Sequence, residues 1–181
     1  MGAALTYWKA VVEDRVGFLE GIIELLDGAG VRYCVIGGVG VNAYAEPLVT
    51  QDLDMIIAIE DMARARAMFE ARFKVREFPY TWNVYDPGSK LQVQVQLREE
   101  MAPYVDRAQR REVMDLWVPV ASPEDLIRAK SEAALEPTRR PSKRLKDVLD
   151  LARLTDAFPE LFVTLPEALK PRVAEARDTP I

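Results

Sequence analysis

The sequence contains no histidine and only one cysteine, Cys34, among its 181 residues. The absence of histidine excludes a Ser-His-Asp triad, a histidine general base and the usual zinc sites, because each of these requires an imidazole. A single cysteine cannot form a disulfide within the chain, and the apolar surroundings of Cys34 predict a buried, inert thiol. Any catalysis must therefore use carboxylates, lysine, arginine, tyrosine or a metal ion held by oxygen atoms.

Long apolar runs and a net positive charge are also absent. No apolar run approaches the roughly 18 residues that a membrane span requires, and the first residues lack the basic and apolar regions of a secretory signal. We therefore expect a cytoplasmic protein without a membrane partner. The net charge of −5 argues against broad non-specific nucleic-acid binding, although basic residues cluster in 107–111 and 139–146.

The length and the hydrophobic pattern predict an α/β fold. We expect an α/β core in residues 1–120 and a helical segment in residues 121–181 that packs on it. The turn signal of residues 86–89 joins two neighbouring strands, which makes the β-sheet mixed. Strands are predicted at 31–36, 53–59, 73–77, 81–85, 91–97 and 113–120, and helices at 5–26, 38–46, 60–72, 103–111, 123–136 and 142–157 and from Pro166 onwards.

The most informative segment joins a Gly37-Gly38 pair at a strand end to two carboxylates, Asp52 and Asp54. The glycines let the backbone approach a triphosphate, whose charge backbone N–H groups can meet. Asp52 and Asp54 are two residues apart on an extended segment, so both point to one face and can hold one divalent cation. Because the following strand is apolar, a pair of acids there favours a functional role over a solvated surface.

A dinucleotide-binding module is the alternative interpretation of this region. Residues 38–43 also fit the pattern G-x-G-x-x-G/A, and Glu60 falls where such a site has its ribose-binding acid. However, Pro47 limits the intervening helix to about two turns, and the two aspartates have no role in such a site. The later strands are also predicted to be antiparallel. This interpretation remains the weaker one.

A second cluster of charged residues lies on the helix predicted at 142–157. Lys143, Lys146, Asp147 and Asp150 are spaced by three and four residues, so they can share one face. Taken alone, the cluster is best explained by two ion pairs, Lys143 with Asp147 and Lys146 with Asp150, although lysine before aspartate is the weaker orientation.

Together these motifs resemble a known superfamily. The glycine pair and the Asp-x-Asp segment, preceded by Thr50, resemble the nucleotidyltransferases typified by DNA polymerase beta. Lys130 with Ala133 and the segment 144–150 resemble the Lys-x-x-Ala and Arg-x-Lys-Asp-x-x-Asp motifs of AbiEii-like nucleotidyltransferases, which include toxins of type IV toxin–antitoxin systems. The resemblance covers roughly residues 31–155.

The resemblance implies a nucleotidyltransferase-like mixed β-sheet flanked by helices, with C-terminal helices that close over the site. It implies magnesium or manganese, a nucleoside triphosphate, and an acceptor hydroxyl on an unknown molecule such as RNA or protein. It also implies a cognate antitoxin as a partner. The implied residues are Asp52 and Asp54 for metal binding and catalysis, Asp147 as a catalytic base, and Gly37, Gly38, Thr50, Lys130, Lys143 and Lys146 for nucleotide binding.

One departure from the superfamily pattern concerns the strand that should supply a third acid. This strand carries Gln92, Gln94 and Gln96 on one face, and Gln94 is our prediction for the third-acid position. An amide oxygen can bind magnesium, but it brings no charge and cannot act as a base. Two interpretations remain: Asp147 supplies the base, or the chain is a non-catalytic nucleotide-binding or toxin–antitoxin interaction module.

Overall fold

A computed structural model describes residues 17–48, 50, 52–87, 91–113 and 115–178. Its helices are α1 at 17–28, and α2 (Gly37–Asn42), α3 (Met62–Arg72), α4 (Pro103–Arg107), α5 (Pro123–Leu135), α6 (Pro141–Ala157) and α7 (Lys170–Asp178). Its strands are β1 (Tyr33–Ile36), β2 (Asp52–Ile57), β3 (Lys74–Phe78), β4 (Thr81–Tyr85), β5 (Gln92–Gln96), β6 (Gln109–Val113) and β7 (Leu116–Val120).

The strands form one mixed sheet in the order β3-β4-β5-β2-β1-β7-β6. The pairs β2–β5 and β1–β7 are parallel, and the other neighbours are antiparallel. The predicted mixed sheet and the antiparallel pairing of β4 with β5 are therefore confirmed. The short α2 joins β1 to the antiparallel β2. Because Ile36 pairs with Asp54, the glycine pair that follows Ile36 and the Asp54 carboxylate lie at the same end of these two strands.

Each face of the sheet is covered by a separate apolar core. On one face, side chains such as Leu53 and Met55 pack with α1 and α3. On the other face, Cys34 and Ile56 pack with residues of α5 and α6, and Cys34 is fully buried as predicted. Because side chains alternate along a strand, Asp52 and Asp54 share the face of Ile56. Helices α5 and α6 therefore cover the same face that carries the two acids.

The boundaries of α5 and α6 agree with the predicted helices. The Oγ atom of Ser122 accepts a hydrogen bond from the backbone N–H of Asp125 at 3.2 Å, which confirms Ser122 as the N-cap of α5. Helix α5 ends at Leu135, before Pro137, and α6 spans Pro141–Ala157. The division of the chain at residue 120 stays a prediction.

The helix predicted at 103–111 is partly wrong. Helix α4 ends at Arg107, Ala108 is extended, and Gln109–Val113 forms the edge strand β6. This segment is mostly polar and has little intrinsic strand preference, so its conformation comes from antiparallel pairing with β7. Strand β7 accordingly begins at Leu116 rather than at Val113.

Two further predictions concern the chain ends. The last helix begins at Lys170 rather than at Pro166, after a 3₁₀ segment at Pro159–Thr164. The first part of the predicted opening helix, residues 5–16, lies outside the described residues. Within the described part of the chain, none of the helices combines the length and the apolar character needed to cross a bilayer. The cytoplasmic location stays a prediction.

Candidate functional site

Gly37 lies at the junction of β1 and α2, with its backbone against the side chain of Asp54. Its φ of 68° falls in the left-handed region that L side chains rarely adopt. A Cβ atom at this position would lie 2.8 Å from both Cβ and Cγ of Asp54, and closer still to Oδ2. Glycine is therefore required both by the backbone conformation and by the close approach of the carboxylate.

The side chains of Thr50 and Lys146 both lie close to Gly38. A Cβ atom on Gly38 would lie 3.0 Å from Oγ1 of Thr50 and 3.7 Å from Nζ of Lys146. Thr50 is supplied by the α2–β2 loop and Lys146 by α6, so three separate segments meet at this glycine. The structure thus brings together three of the residues predicted to bind a nucleotide.

Asp54 and Gln94 are neighbours across the parallel pair β2–β5. The register places Asp54 beside Gln94 and Asp52 beside Gln92. Directly opposite residues of paired strands point to the same face, so Gln94 shares the face of Asp54, and its assignment to the third-acid position stays a prediction. Across the next pairing, Gln94 lies beside Asn83 of β4.

The donor atoms at this position suit a hard divalent cation. Asp52, Asp54 and Gln94 offer carboxylate and amide oxygens, which are the ligands that Mg²⁺ and Mn²⁺ prefer. Within the described ranges, no group of three or more His, Cys, Asp or Glu residues is placed to hold a metal ion. A third ligand from the protein would therefore be the amide of Gln94 rather than a carboxylate.

The electrostatic environment of Asp54 also fits a bound cation. Burial raises the pKa of Asp54 above its ordinary value of 3.8, the positive charge of Lys130 opposes this shift, and the negative charge of Asp52 adds to it. Arg139 and Lys143 contribute smaller effects that lower the pKa. The charged form of Asp54 is thus less favourable than in water, and a cation between the two carboxylates would compensate for that cost.

A cleft of about 820 Å³ opens above these groups. Its volume lies within the range of about 300–1,000 Å³ that is usual for small-molecule sites. The sheet side of the cleft is lined by Gly37, Asp52, Asp54 and Gln94, and the helical side by residues that include Lys130, Arg139, Lys143 and Asp147. Six of the predicted site residues therefore line one cleft, and the other three meet next to it at Gly38.

The acids of α6 belong to a buried charge network. Lys130 Nζ donates to Asp150 Oδ2 at 2.5 Å and to Asp147 Oδ1 at 3.3 Å. Arg139 Nε donates to Asp147 Oδ2 at 2.7 Å, and Arg153 Nη1 donates to Asp150 Oδ1 at 2.9 Å. Asp147 and Asp150 are 2% and 1% exposed, so three cationic side chains compensate two buried carboxylates.

This network corrects the predicted ion pairs of α6. In the described part of the chain, Asp147 and Asp150 pair with Lys130, Arg139 and Arg153 rather than with Lys143 and Lys146. The physical reason is burial: the acids face α5 inside the protein, whereas Lys143 is exposed and Lys146 half-buried. The two lysines thus remain available to a ligand of the cleft or of the adjacent glycine turn.

The predicted catalytic role of Asp147 is a separate question. Both carboxylate oxygens of Asp147 already accept hydrogen bonds, from Lys130 and from Arg139. These contacts support a role in holding two cationic side chains at the wall of the cleft. The role of Asp147 as a base stays a prediction.

Sequence reasoning did not identify Arg139 and Arg153 as individual residues of the site. Arg139 lies in the basic stretch 139–146, which indicated phosphate binding only as a group. Arg153 lies within an apolar helical pattern, and its contact with Asn42 spans 111 positions of the chain. No local spacing in the sequence could have indicated that contact.

Comparison with known proteins gives a family match over most of the chain. The family model described as "Nucleotidyl transferase AbiEii toxin, Type IV TA system" matches residues 37–180. A search of the curated proteins finds no match. The matched region contains the glycine pair, the two aspartates and the whole charge network, which confirms the resemblance drawn from the sequence.

Solved structures of ANT(2'')-Ia and LnuA share the fold. The solution structure of the antibiotic-resistance factor ANT(2'')-Ia matches with a TM-score of 0.62 and 16% identity, over 89% of this chain and 94% of that chain. The crystal structure of ANT(2'')-Ia with adenylyl-2''-tobramycin gives 0.60 and 15%, over 89% and 97%. The lincomycin-bound lincosamide adenylyltransferase LnuA gives 0.52 and 15%, over 76% and 96%. These similarities confirm the predicted nucleotidyltransferase-like fold.

Proposed function

The chain belongs to the AbiEii nucleotidyltransferase family, and we propose that it transfers a nucleotidyl group from a nucleoside triphosphate to an acceptor hydroxyl with Mg²⁺ or Mn²⁺. The observation that carries this proposal is the approach of the Asp54 carboxylate to the left-handed backbone of Gly37. This contact places a cation-binding group and a phosphate-binding turn side by side, as the chemistry requires.

The triphosphate would lie along the glycine turn. Backbone N–H groups of Gly37 and Gly38 can approach its oxygens because neither residue carries a side chain. Lys146, whose Nζ lies close to Gly38, supplies a positive charge, and the Thr50 hydroxyl lies on the other side of the same glycine. Lys143 and Arg139 extend the positive charge along the helical wall of the cleft.

Asp52 and Asp54 would hold the cation with the amide oxygen of Gln94. When bound, the cation neutralises phosphate charge and polarises the phosphorus–oxygen bonds. With the cation between them and the phosphates, Asp52 and Asp54 would help to position the triphosphate, and helices α5 and α6 would limit the access of water from one side.

In the transfer, the acceptor oxygen forms a bond to the α-phosphorus while the bond from that phosphorus to the bridging oxygen breaks. Pyrophosphate leaves, and the acceptor proton passes to a base. Gln94 cannot accept this proton. Asp147 remains our candidate base, and it would have to give up one of its hydrogen bonds to Lys130 or Arg139. The missing carboxylate at Gln94 and the hydrogen-bonded state of Asp147 both support a slow transfer reaction.

The acceptor would lie on the open part of the sheet beside Gln94. Here the side chains of β3, β4 and β5 on the Asp54 face form an exposed or half-buried surface, which we call the acceptor face. The guanidinium of Arg76 lies 5.4 Å from the centre of the Tyr85 ring, and Asn83 donates to both Tyr85 and Gln92. The acceptor face consists of Lys74, Arg76, Phe78, Thr81, Asn83, Tyr85, Gln92, Gln94 and Gln96.

The charge of the acceptor face supports RNA as the acceptor. It carries two cationic side chains, Lys74 and Arg76, and none of its nine residues is acidic. Such a surface attracts phosphates and offers an aromatic ring for stacking of bases. It would repel a cationic aminoglycoside such as the tobramycin moiety bound to ANT(2'')-Ia. We therefore place RNA ahead of small cationic acceptors and of protein.

Calorimetric titration with each of the four nucleoside triphosphates tests the proposed site. We expect magnesium-dependent binding to the unchanged chain and at least a tenfold loss on Asp52→Asn with Asp54→Asn, because the cation site is removed. Asp156→Asn is the matched control, since Asp156 pairs with Arg177 on the surface of α6. Equal magnesium-dependent binding by the double variant would overturn the assignment of the site.

A non-catalytic module of the same fold is the second candidate function. The glutamine at the third-acid position favours it, since this residue removes a charged ligand. In this case the chain would bind a triphosphate without transferring any part of it, and its partner would be a cognate antitoxin. Binding without label transfer to RNA or protein would support this candidate over the enzyme.

A further inference from the structure

The loop between α2 and β2 is folded back onto Asn42. The Asn42 side-chain amide donates from Nδ2 to the carbonyl oxygen of Leu48 at 2.8 Å, and its Oδ1 accepts from the Leu48 N–H at 3.1 Å. These two bonds satisfy both backbone groups of Leu48. The loop therefore closes on one side chain, two positions before Thr50.

Arg153 of α6 ties this loop to the helices. Its Nη2 donates to Asn42 Oδ1 at 2.8 Å and to the carbonyl oxygen of Glu46, and its Nη1 donates to Asp150 Oδ1 at 2.9 Å. Arg153 is 7% exposed. Asp150 in turn accepts from Lys130 of α5. One buried guanidinium thus joins the loop to α6 and, through Asp150, to α5.

The position of the loop matters because it carries Thr50. Thr50 Oγ1 lies against Gly38, where a Cβ atom would be only 3.0 Å away. A small displacement of the loop would move this hydroxyl relative to the glycine turn, and misplacement of about 1 Å in a site can cost about 100-fold in rate. A planar guanidinium can hold three acceptors in fixed directions, whereas an ammonium cannot reproduce that geometry.

We propose that Arg153, acting through Asn42 and the backbone of Glu46, is a positioning residue that holds Thr50 in the triphosphate site. This inference rests on the proposed function, because it assumes that a triphosphate binds at Gly38. Among the described residues, the hydrogen bonds and ion pairs of Arg153 reach Asn42, Glu46 and Asp150, and not the glycine turn or the aspartate pair. Its effect on the ligand therefore passes through the loop.

Variants of Arg153 and Asn42 test the inference by triphosphate binding. Arg153→Lys keeps the charge beside Asp150 but cannot hold all three acceptors, and we expect magnesium-dependent binding of the preferred triphosphate to weaken about tenfold. Asn42→Ala removes the loop closure and leaves the Arg153–Asp150 pair intact, with a similar loss expected. Arg177→Lys is the matched control, since Arg177 pairs with Asp156 away from the loop.

A double-variant cycle with Thr50→Ala separates positioning from general destabilisation. If Arg153 acts through Thr50, Arg153→Lys should add little to the loss caused by Thr50→Ala alone. Additive losses, or unchanged binding by both Arg153→Lys and Asn42→Ala, would overturn the inference. If Arg153→Lys gives no cooperative melting transition, the cycle of Asn42→Ala with Thr50→Ala decides. An unchanged chain that binds none of the four triphosphates would instead overturn the proposed function, and the inference with it.

Discussion

At the scale of single residues, the two glycines of the turn differ in what they tolerate. Gly37 has a left-handed backbone and lies against Asp54, whereas Gly38 has neither constraint and lies near the side chains of Thr50 and Lys146. The pair was evident from the sequence because a glycine pair at a strand end is a strong local signal. The sequence could not show that only Gly37 is constrained, because this constraint comes from its φ angle and from its contact with Asp54 of β2.

Alanine at each glycine gives a matched pair of variants. We predict that Gly37→Ala lowers the free energy of unfolding by about 1 kcal/mol or more. The new methyl group would clash with the Asp54 side chain, and alanine would have to adopt the left-handed backbone of this position. Gly38→Ala should fold with a much smaller loss and bind triphosphate more weakly. Denaturant melts and calorimetry check both. Equal stability of the two variants would show that the Gly37 position does not require glycine.

Asp54 gives a second prediction, on the pH dependence of stability. Its pKa is raised in the folded state, so folding is penalised once pH rises above the ordinary value of 3.8, and the penalty is complete above the raised pKa. Without metal, Asp54→Asn should therefore be more stable than the unchanged chain at pH 7. The difference should shrink towards pH 4.

Thermal melts in a chelator at pH 7 and pH 4 measure this difference, at about 2–4 °C per kcal/mol for a chain of this size. Adding magnesium should raise the midpoint of the unchanged chain and leave that of Asp54→Asn nearly unaffected. If Asp54→Asn is less stable than the unchanged chain at pH 7 without metal, burial of the charged Asp54 carboxylate does not destabilise the folded protein.

At the scale of elements, the register of strand β5 decides which of its three glutamines lies beside Asp54. The parallel register with β2 places Gln94, and not Gln92 or Gln96, beside Asp54. The alternation of glutamines was enough to predict that the three share a face. The pairing partner of each glutamine required the sheet itself, because a shift by two residues would have left the same face exposed.

We predict that Gln94→Asp raises magnesium affinity and the rate of transfer, because it restores a charged ligand beside Asp54. Gln92→Asp is the matched control: Gln92 lies beside Asp52 and accepts a hydrogen bond from Asn83, so the gain there should be smaller. Magnesium titrations and label incorporation measure both. A larger gain at Gln92 would contradict the geometry, and no gain at either would favour the binding module.

Helix α6 offers a test of the two roles of Asp147. If this acid mainly holds Lys130 and Arg139, Asp147→Asn should destabilise the protein by about 1–3 kcal/mol, because both cations lose a charged acceptor while Lys130 keeps Asp150. If it is the base, transfer should fall while triphosphate binding persists. Melting curves measured beside transfer rates distinguish these outcomes, with the exposed Asp156→Asn as the control. Unchanged stability and unchanged transfer would contradict both roles.

At the scale of the whole molecule, the sequence indicated the order of elements better than their contacts. The helical periodicity of residues 142–157 and the cap at Ser122 were local signals, and both α5 and α6 were found. Strand β6 was missed because its polar residues become a strand only by pairing with β7. The charge network was missed for the same reason, since it joins α5, α6 and the α2–β2 loop across long distances in the chain.

The proposed reaction transfers a nucleotidyl group, so the α-phosphorus of the triphosphate moves to the acceptor and the γ-phosphorus leaves in pyrophosphate. Incubation with RNA and with triphosphates labelled at either the α- or the γ-phosphorus tests it directly, with Asp52→Asn/Asp54→Asn as the control. We expect RNA labelled from the α-position only, with magnesium or manganese required and no labelling by the double variant. Labelling from the γ-position, or labelling that persists in the double variant, would contradict it.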